Sequence, residues 1–265
     1  QQLGKVFKYL KKENLDKNTI VIFIGDNGRC NVRGKGYLFE PGINIPLLIY
    51  NPFSEGNKIV NDLVTVTDLT ATILDYAGID KPKYMTGKSF LKDDFNRKYV
   101  YAARDQWDEI MDKSRAIVTK KWKYIRNYKP EIPYDAGQAY LEFYRPAVHI
   151  MRTAKSNNLL TNAQLHFFKE SKDLEELYDL ENDPHEINNL ALDPSFQNIM
   201  NKFRIDMEEY NKRYRPMSDE YEPIIAESVV ILEWVKKNRP EEYKRMLEGY
   251  EIGFSKSKDE YYKNN

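Results

Sequence analysis

The sequence predicts an α/β sheet unit, then a small antiparallel α+β unit, then a helical tail. Three observations carry that prediction. Residues 2–50 run helix, apolar strand, polar loop, apolar strand, the rhythm of an α/β sheet. Near residue 96 the pattern changes to short β runs. Beyond Pro216 only helical segments and a polar terminus remain. The expected division is therefore 1–96, 97–216 and 217–265.

Taken in order, residues 2–13 form an amphipathic helix with Lys5, Lys8, Lys11 and Lys12 on its polar side. Thr19–Ile24 and Ile45–Tyr50 are short, almost wholly apolar runs bounded by turn residues, which read as strands buried on both faces. Glu55-Gly56-Asn57 reads as a turn, and Ile59–Val66 as a third short strand or an extended loop. Thr67 or Asp68 caps the next helix, with Leu69, Ile73, Leu74 and Ala77 as its buried stripe and Gly78 as its stop. Tyr99–Arg104, Arg115–Thr119 and Trp122–Asn127 read as strands, the last two forming a hairpin around Lys120-Lys121. Residues 128–172 are irregular, with helical pieces near Gln138–Tyr144 and Thr161–Phe168. Leu174–Leu180 reads as a further strand, closed by Glu181-Asn182-Asp183-Pro184. Asp193-Pro194 starts a helix whose stripe is Phe196, Ile199, Met200, Phe203, Met207 and Tyr210. The tail holds helical segments near Ile224–Lys237 and Pro240–Tyr250, then a polar, frayed end. Trp234 and its apolar neighbours point to docking on the body or on a partner.

Composition narrows the function classes. Lys+Arg and Asp+Glu both number 41, so the 265-residue chain lacks the basic surplus that nucleic-acid binding needs. No run approaches the roughly 18 apolar residues of a membrane span. One cysteine, Cys30, excludes an internal disulfide. The chain opens on Gln1 with helical spacing already under way, which reads as the C-terminal portion of something longer.

The chemistry concentrates between Asn18 and Gly42. The first apolar run ends in Gly25-Asp26-Asn27-Gly28, and Asp26 with Asn27 offers two hard oxygens of the type Ca²⁺ or Mg²⁺ prefers. Asp-Asn-Gly is also an ordinary turn, and two ligands do not satisfy a Ca²⁺ that takes about 6–8 oxygens. Lys35, between Gly34 and Gly36, suits a tetrahedral oxyanion, with Arg29 and Arg33 as weaker candidates. The cluster Asp105, Asp108, Glu109 and Asp112 reads as a solvated acidic loop or a polar-substrate surface. His149, His166 and His185 show no zinc spacing.

Five segments in order, FIGDNG, RGKGYLFEPGINIPLLI, VTVTDLTATILDYAGI with MTGKSF, RAIVTKKWKYIRN and EELYDLENDPHEINNLALDP, resemble the C-terminal half of formylglycine-dependent sulfatases. These belong to the alkaline-phosphatase-like superfamily, and the likeness covers roughly residues 1–215. The ELYDLENDPHEINNLA block is most similar to heparan N-sulfatase (sulfamidase)-type members. The resemblance implies an alkaline-phosphatase-like sheet domain and hydrolysis of sulfate esters or N-sulfates of carbohydrates, glycosaminoglycans among them. It implies Asp26 and Asn27 as ligands completing a Ca²⁺ site begun upstream, and Lys35 as the sulfate ligand. Placement makes Arg33, Arg104, Asp105 and Asp108 candidate substrate residues. The family nucleophile comes from C/S-x-P-x-R, converted to formylglycine; Cys30 is followed by Asn31-Val32-Arg33, so nucleophile and formylglycine are expected upstream and this chain alone is expected to be inactive. Glu40-Pro41-Gly42-Ile43-Asn44 departs from the Glu-Gly-Gly-x-Arg of many members. A secreted, periplasmic or lysosomal-type compartment is the implied setting, with a sulfated sugar as partner and no nucleic acid or membrane. Two rivals stand beside this: a phosphoester hydrolase of the same superfamily, and a non-catalytic carbohydrate-binding or structural unit using the 20 tyrosines.

Overall fold

The computed structural model describes residues 1–54, 56–92, 94–213 and 227–265. Glu55 of the expected turn, the Pro216 boundary and the Ile224 start of the tail helix lie outside those residues. Helix α1 (Gln2–Lys12) precedes strand β1 (Val21–Ile24), which pairs antiparallel with β2 (Leu47–Tyr50), Val21 opposite Tyr50. Between them runs the functional loop, with one helical turn, α2 (Glu40–Ile43).

β1 and β2 are not buried on both faces as their composition predicts. Phe23 is 44 % and Leu48 57 % exposed. Two strands cover little of each other's faces, and the Phe7 ring of α1 meets Tyr50 edge-on, covering one end of one side. Residues 59–65 are extended loop rather than strand. Helix α3 (Val66–Tyr76) starts two residues early, because Thr65 and Asp68 form a capping box. Its buried face is consequently Asp68, Leu69, Ala71 and Thr72, and Ile73 is outside. Gly78, at φ +67°, ends it as expected. Asp68 becomes a hub: its carboxylate accepts from the amides of Thr65 and Lys88 and is gripped by the Arg97 guanidinium.

The second sheet is antiparallel, in the order β3 (Val100–Trp107), β4 (Ile110–Val118), β5 (Trp122–Asn127), β6 (Glu175–Asp179). The β4–β5 hairpin matches its sequence signal. The acidic "loop" at 105–112 is a correction: it is the end and start of two strands and their tip. Its charges hide the β pattern because they pair within the sheet, Asp105 with Arg115 at 2.6 Å and Asp112 with Arg104 at 3.2 Å and Lys172 at 2.5 Å.

Register decides which side chains share a face. Ile117, Tyr124 and Leu177 form one cross-strand row and pack under Met200, Phe203 and Met207 of α6 (Gln197–Arg213). Asp193 starts that helix through a 3₁₀ turn, accepting from the Ser195 amide. On the opposite face, Ala116 and Ile125 pack against Tyr37, Phe39, Tyr134 and Phe167. The functional loop therefore forms part of the lid over this sheet. Glu176, on the same face, is fully buried and accepts from Tyr178 Oη, Asn127 Nδ2 and Tyr134 Oη.

A π-helical turn (Tyr140–Tyr144) is followed by α4 (Ala147–Ser156), a helix the sequence reading missed, and by α5 (Asn162–Leu165). The tail forms α7 (Glu227–Asn238), α8 (Pro240–Leu247) and α9 (Phe254–Asn264). The terminus is thus helical, not frayed. Ile231, Val235, Met246 and Ile252 close around Phe143, so the tail docks on the body.

His166 packs beside the Phe39 and Tyr134 rings, and burial pushes its imidazole down to about 4. The unfolded chain, near the ordinary 6.5, binds the proton first. Stability contributed by neutral His166 is complete above about pH 6.5 and lost as pH falls through 6.5 towards 4. Thermal melts should show wild type losing stability relative to His166→Phe as pH falls through that window; parallel curves would refute this.

Candidate active-site loop

Leaving β1, the chain must reverse in a few residues, and the Gly25–Gly28 segment permits it. The Gly28 amide donates to the Gly42 carbonyl at 3.2 Å and the Arg29 amide to the Pro41 carbonyl at 2.7 Å, stapling the start of the loop to α2. A Cβ on Gly28 would lie 2.2 Å from the Pro41 oxygen, so this approach requires glycine. The Asp26 carboxylate is exposed at the turn, and its Oδ1 accepts from the Asn27 amide at 3.0 Å. Asn27 Nδ2 donates to the Gly28 carbonyl at 2.7 Å and contacts Cys30 Sγ at 3.4 Å. With its nitrogen engaged, the amide presents its oxygen as the end left for a ligand. These are two adjacent hard donors, the chemistry a Ca²⁺ site takes. Among the described residues no cluster of three His, Cys, Asp or Glu side chains accompanies them. A Ca²⁺ here would draw its other oxygens from elsewhere.

Lys35 sits on the return limb. Its amide donates to the Arg29 carbonyl at 2.8 Å, and its ammonium lies 4.5 Å from the centre of the Tyr140 ring. Gly36 follows at φ +89°, where a Cβ would fall 1.9 Å from the Trp107 ring. The loop backbone therefore rests directly on the β3 indole.

Three of the sequence candidates for substrate contact have partners within the fold. Arg33, at φ +64°, reaches across to the β6–α6 connection, donating to the carbonyls of His185 (2.7 Å) and Glu186 and lying 3.8 Å from the Phe39 ring centre. Arg104 is buried, donates to the Gly36 carbonyl at 2.9 Å and pairs with Asp112. Asp105 is taken by Arg115. Asp108 alone stays on the Lys35 side, at the exposed tip of the β3–β4 hairpin with φ +48°. Burial and neighbouring Glu109 push its carboxyl up, and Lys35 pulls it down.

Four functional residues escaped the sequence reading. Lys123, on the loop-facing side of β5, is wholly buried, with Nζ 2.7 Å from a Glu40 oxygen and 2.7 Å from a Glu186 oxygen. Glu186 in turn accepts from the Glu40 amide at 2.7 Å, at the start of α2. This ion cluster joins the loop, the sheet and the β6–α6 connection, and burial raises the Glu186 carboxyl despite Lys123. The remaining two surround Lys35: Tyr140, and Arg145 with its guanidinium 5.4 Å from the same ring. The neighbouring Tyr140 hydroxyl lowers the Cys30 thiol, and Asn27, Lys35 and Arg145 add to this against burial. No local signal marks these residues, since each acquires its role from a distant partner. His149 is buried with its ring nitrogen 2.9 Å from the Glu142 carbonyl, and half-buried His166 packs against Phe39 at the base of the loop.

Comparison with known proteins follows this geometry. Residues 1–79 match the family model "Sulfatase", and residues 133–213 match "N-sulphoglucosamine sulphohydrolase, C-terminal". An ulvan-active sulfatase of Formosa agariphila is 35 % identical over 213 residues, covering 79 % of this chain and 35 % of that protein. The N-sulphoglucosamine sulphohydrolase of Homo sapiens is 28 % identical over 223 residues, 77 % of this chain and 43 % of that protein. The chain thus spans well under half the length of these relatives. Among solved structures, a 2-O GAG sulfatase superposes with TM-score 0.58 at 22 % identity, covering 80 % of this chain and 40 % of that one, which establishes a shared fold.

Proposed function

Because the chain belongs to the sulfatase family, we propose that it contributes the calcium and sulfate ligands of an active site that hydrolyses sulfate esters or N-sulfate groups of sulfated carbohydrates. The observation that carries this reading is the single loop that presents Asp26 and Asn27 on its outgoing limb and Lys35 on its return, cross-linked by backbone bonds. Asp26 and Asn27 would hold the Ca²⁺ together with ligands upstream, and the metal when bound supplies positive charge against the sulfuryl oxygens. Lys35 orients the sulfate as a compact point charge, and its contact with Tyr140 directs the ammonium. The nucleophile, formylglycine in this family, is not among these residues, so the chain alone turns over no sulfate ester. A secreted, periplasmic or lysosomal-type compartment accords with this substrate class. A two-metal phosphoester site, which needs several His ligands, is disfavoured because no histidine precedes His149 in this sequence.

Calcium titration of the full-length protein tests the reading. Asp26→Ala should weaken Ca²⁺ binding by more than the roughly 10–100-fold typical of a residue behind a ligand. Unchanged affinity would remove Asp26 from the metal.

A further inference from the structure

Beside Lys35 lies a cleft of about 400 Å³, a size typical of small-molecule sites. One wall is aromatic: Tyr140 and Tyr144 from the π-helical turn, with ring centres 6.2 Å apart, and Phe254 from α9, 6.2 Å from Tyr144. The other wall is acidic: Asp108 and Glu109 from the β3–β4 tip and Glu227 from α7. Tyr140 is the hinge between the cleft and the loop, since it carries Lys35 and Arg145 over its ring.

Glu109 and Glu227 are held by the fold, and Asp108 stands at the exposed hairpin tip. Glu109 accepts from the Ala139 amide at 3.0 Å and from Ser228 Oγ. The Tyr140 backbone and Lys35 draw the Asp108 carboxyl down against burial and Glu109. Glu227 pairs with Lys258 at 3.1 Å and accepts from Tyr262 Oη at 2.8 Å. Neither Asp108 nor Glu109 forms a salt bridge among the described residues. The cleft is therefore aromatic along one side and acidic along the other, with Lys35 and Arg145 reaching it across the Tyr140 ring.

That polarity matches one kind of ligand. A pyranose presents C–H bonds to an aromatic wall and hydroxyls to carboxylates, while a sulfate at one end meets Lys35 and Arg145. A second anionic substituent would face Asp108 and Glu109, which have no cation partner among the described residues, and Glu227, which Lys258 partly neutralises, and like charges at short range repel. We propose that this cleft seats the sugar ring whose sulfate Lys35 holds, and that Asp108 and Glu227 make it select a ring with one sulfate and an ammonium or hydroxyls over a ring with two anionic groups. The inference rests on the reading of Lys35 as the sulfate ligand. It also gives the tail a role: α7 and α9 supply one carboxylate and one ring to the site, so specificity would depend on residues beyond the sheet.

The test is calorimetric titration of the full-length protein with D-glucosamine 6-sulfate and with D-glucosamine N,6-disulfate. The monosulfated sugar should bind about tenfold tighter or more, roughly 1.4 kcal/mol. Asp108→Asn, alone and with Glu227→Gln, should bring that ratio towards one, largely by tightening the disulfate. Melting temperature separates this from misfolding, and Asp108→Asn alone spares the Lys258 and Tyr262 contacts. A wild-type preference for the disulfate, or a ratio unmoved in a folded Asp108→Asn, overturns the proposal. If Lys35→Ala abolishes binding of both sugars while Asp108→Asn leaves their ratio untouched, only the selectivity fails. If Lys35→Ala changes neither affinity, the sulfate reading fails and takes this one with it.

Discussion

Lys123→Ala is expected to destabilise the protein by about 3–5 kcal/mol, the cost of removing one partner from a buried ion cluster. The ammonium is wholly buried between Glu40 and Glu186. Its loss leaves two carboxylates facing each other in the core, one of them already raised by burial. For a domain of this size the melting temperature should drop by roughly 10 °C. Lys123→Met combined with Glu186→Gln removes charge from both sides and should recover much of the loss. The effect should reach the site as well, because Glu40 and Arg33 lie on the loop that carries Lys35. A melting temperature within 2–3 °C of wild type, a change of about 1 kcal/mol, would show that the cluster is solvated and not buried.

In the full-length enzyme, Lys35→Ala should lower kcat/KM on a sulfated sugar by about 10²–10³, the usual loss on deleting one charge-stabilising donor. Stability should hardly move. Among the described residues the Lys35 ammonium forms no salt bridge and lies over the Tyr140 ring, a contact worth about 0.5–1 kcal/mol at a partly exposed position. That split, activity lost with melting unchanged, is the opposite of the Lys123 result. Unaltered kcat/KM would strike Lys35 from the sulfate site.

What could be read in the sequence is what local rules specify. Gly78 and Asp193 punctuate helices through backbone geometry within a few residues, and the β4–β5 hairpin shows in WKYIRN against RAIV. The Asp-Asn turn and the lysine between glycines are likewise local. The ion cluster is not. In WKYIRN the alternation sets Lys123 on a face where a charge ordinarily meets water, and only the folded loop supplies Glu40. Glu186 follows a turn and looks solvated until α2 places its first amide against it. The β3–β4 tip failed for a related reason. Its strands carry charges that neutralise one another across the ladder, so hydrophobic alternation is absent although the strands pair on both sides of an irregularity between Arg104 and Gln106. Arg33 and Arg104 were chosen for their chemical type near the loop, and type does not reveal that two backbone carbonyls and a buried aspartate already claim them.

The Arg33–Glu186 contact also has a temporal side. Its partners are 153 positions apart, and Lys123 stands between them in the chain. At roughly 5–20 residues per second of synthesis, the loop waits about 8–30 s between its own emergence and that of its last anchor. The loop is thus made well before the residue that anchors it. A slowed or truncated synthesis would leave it unmoored even though every one of its own residues is in place.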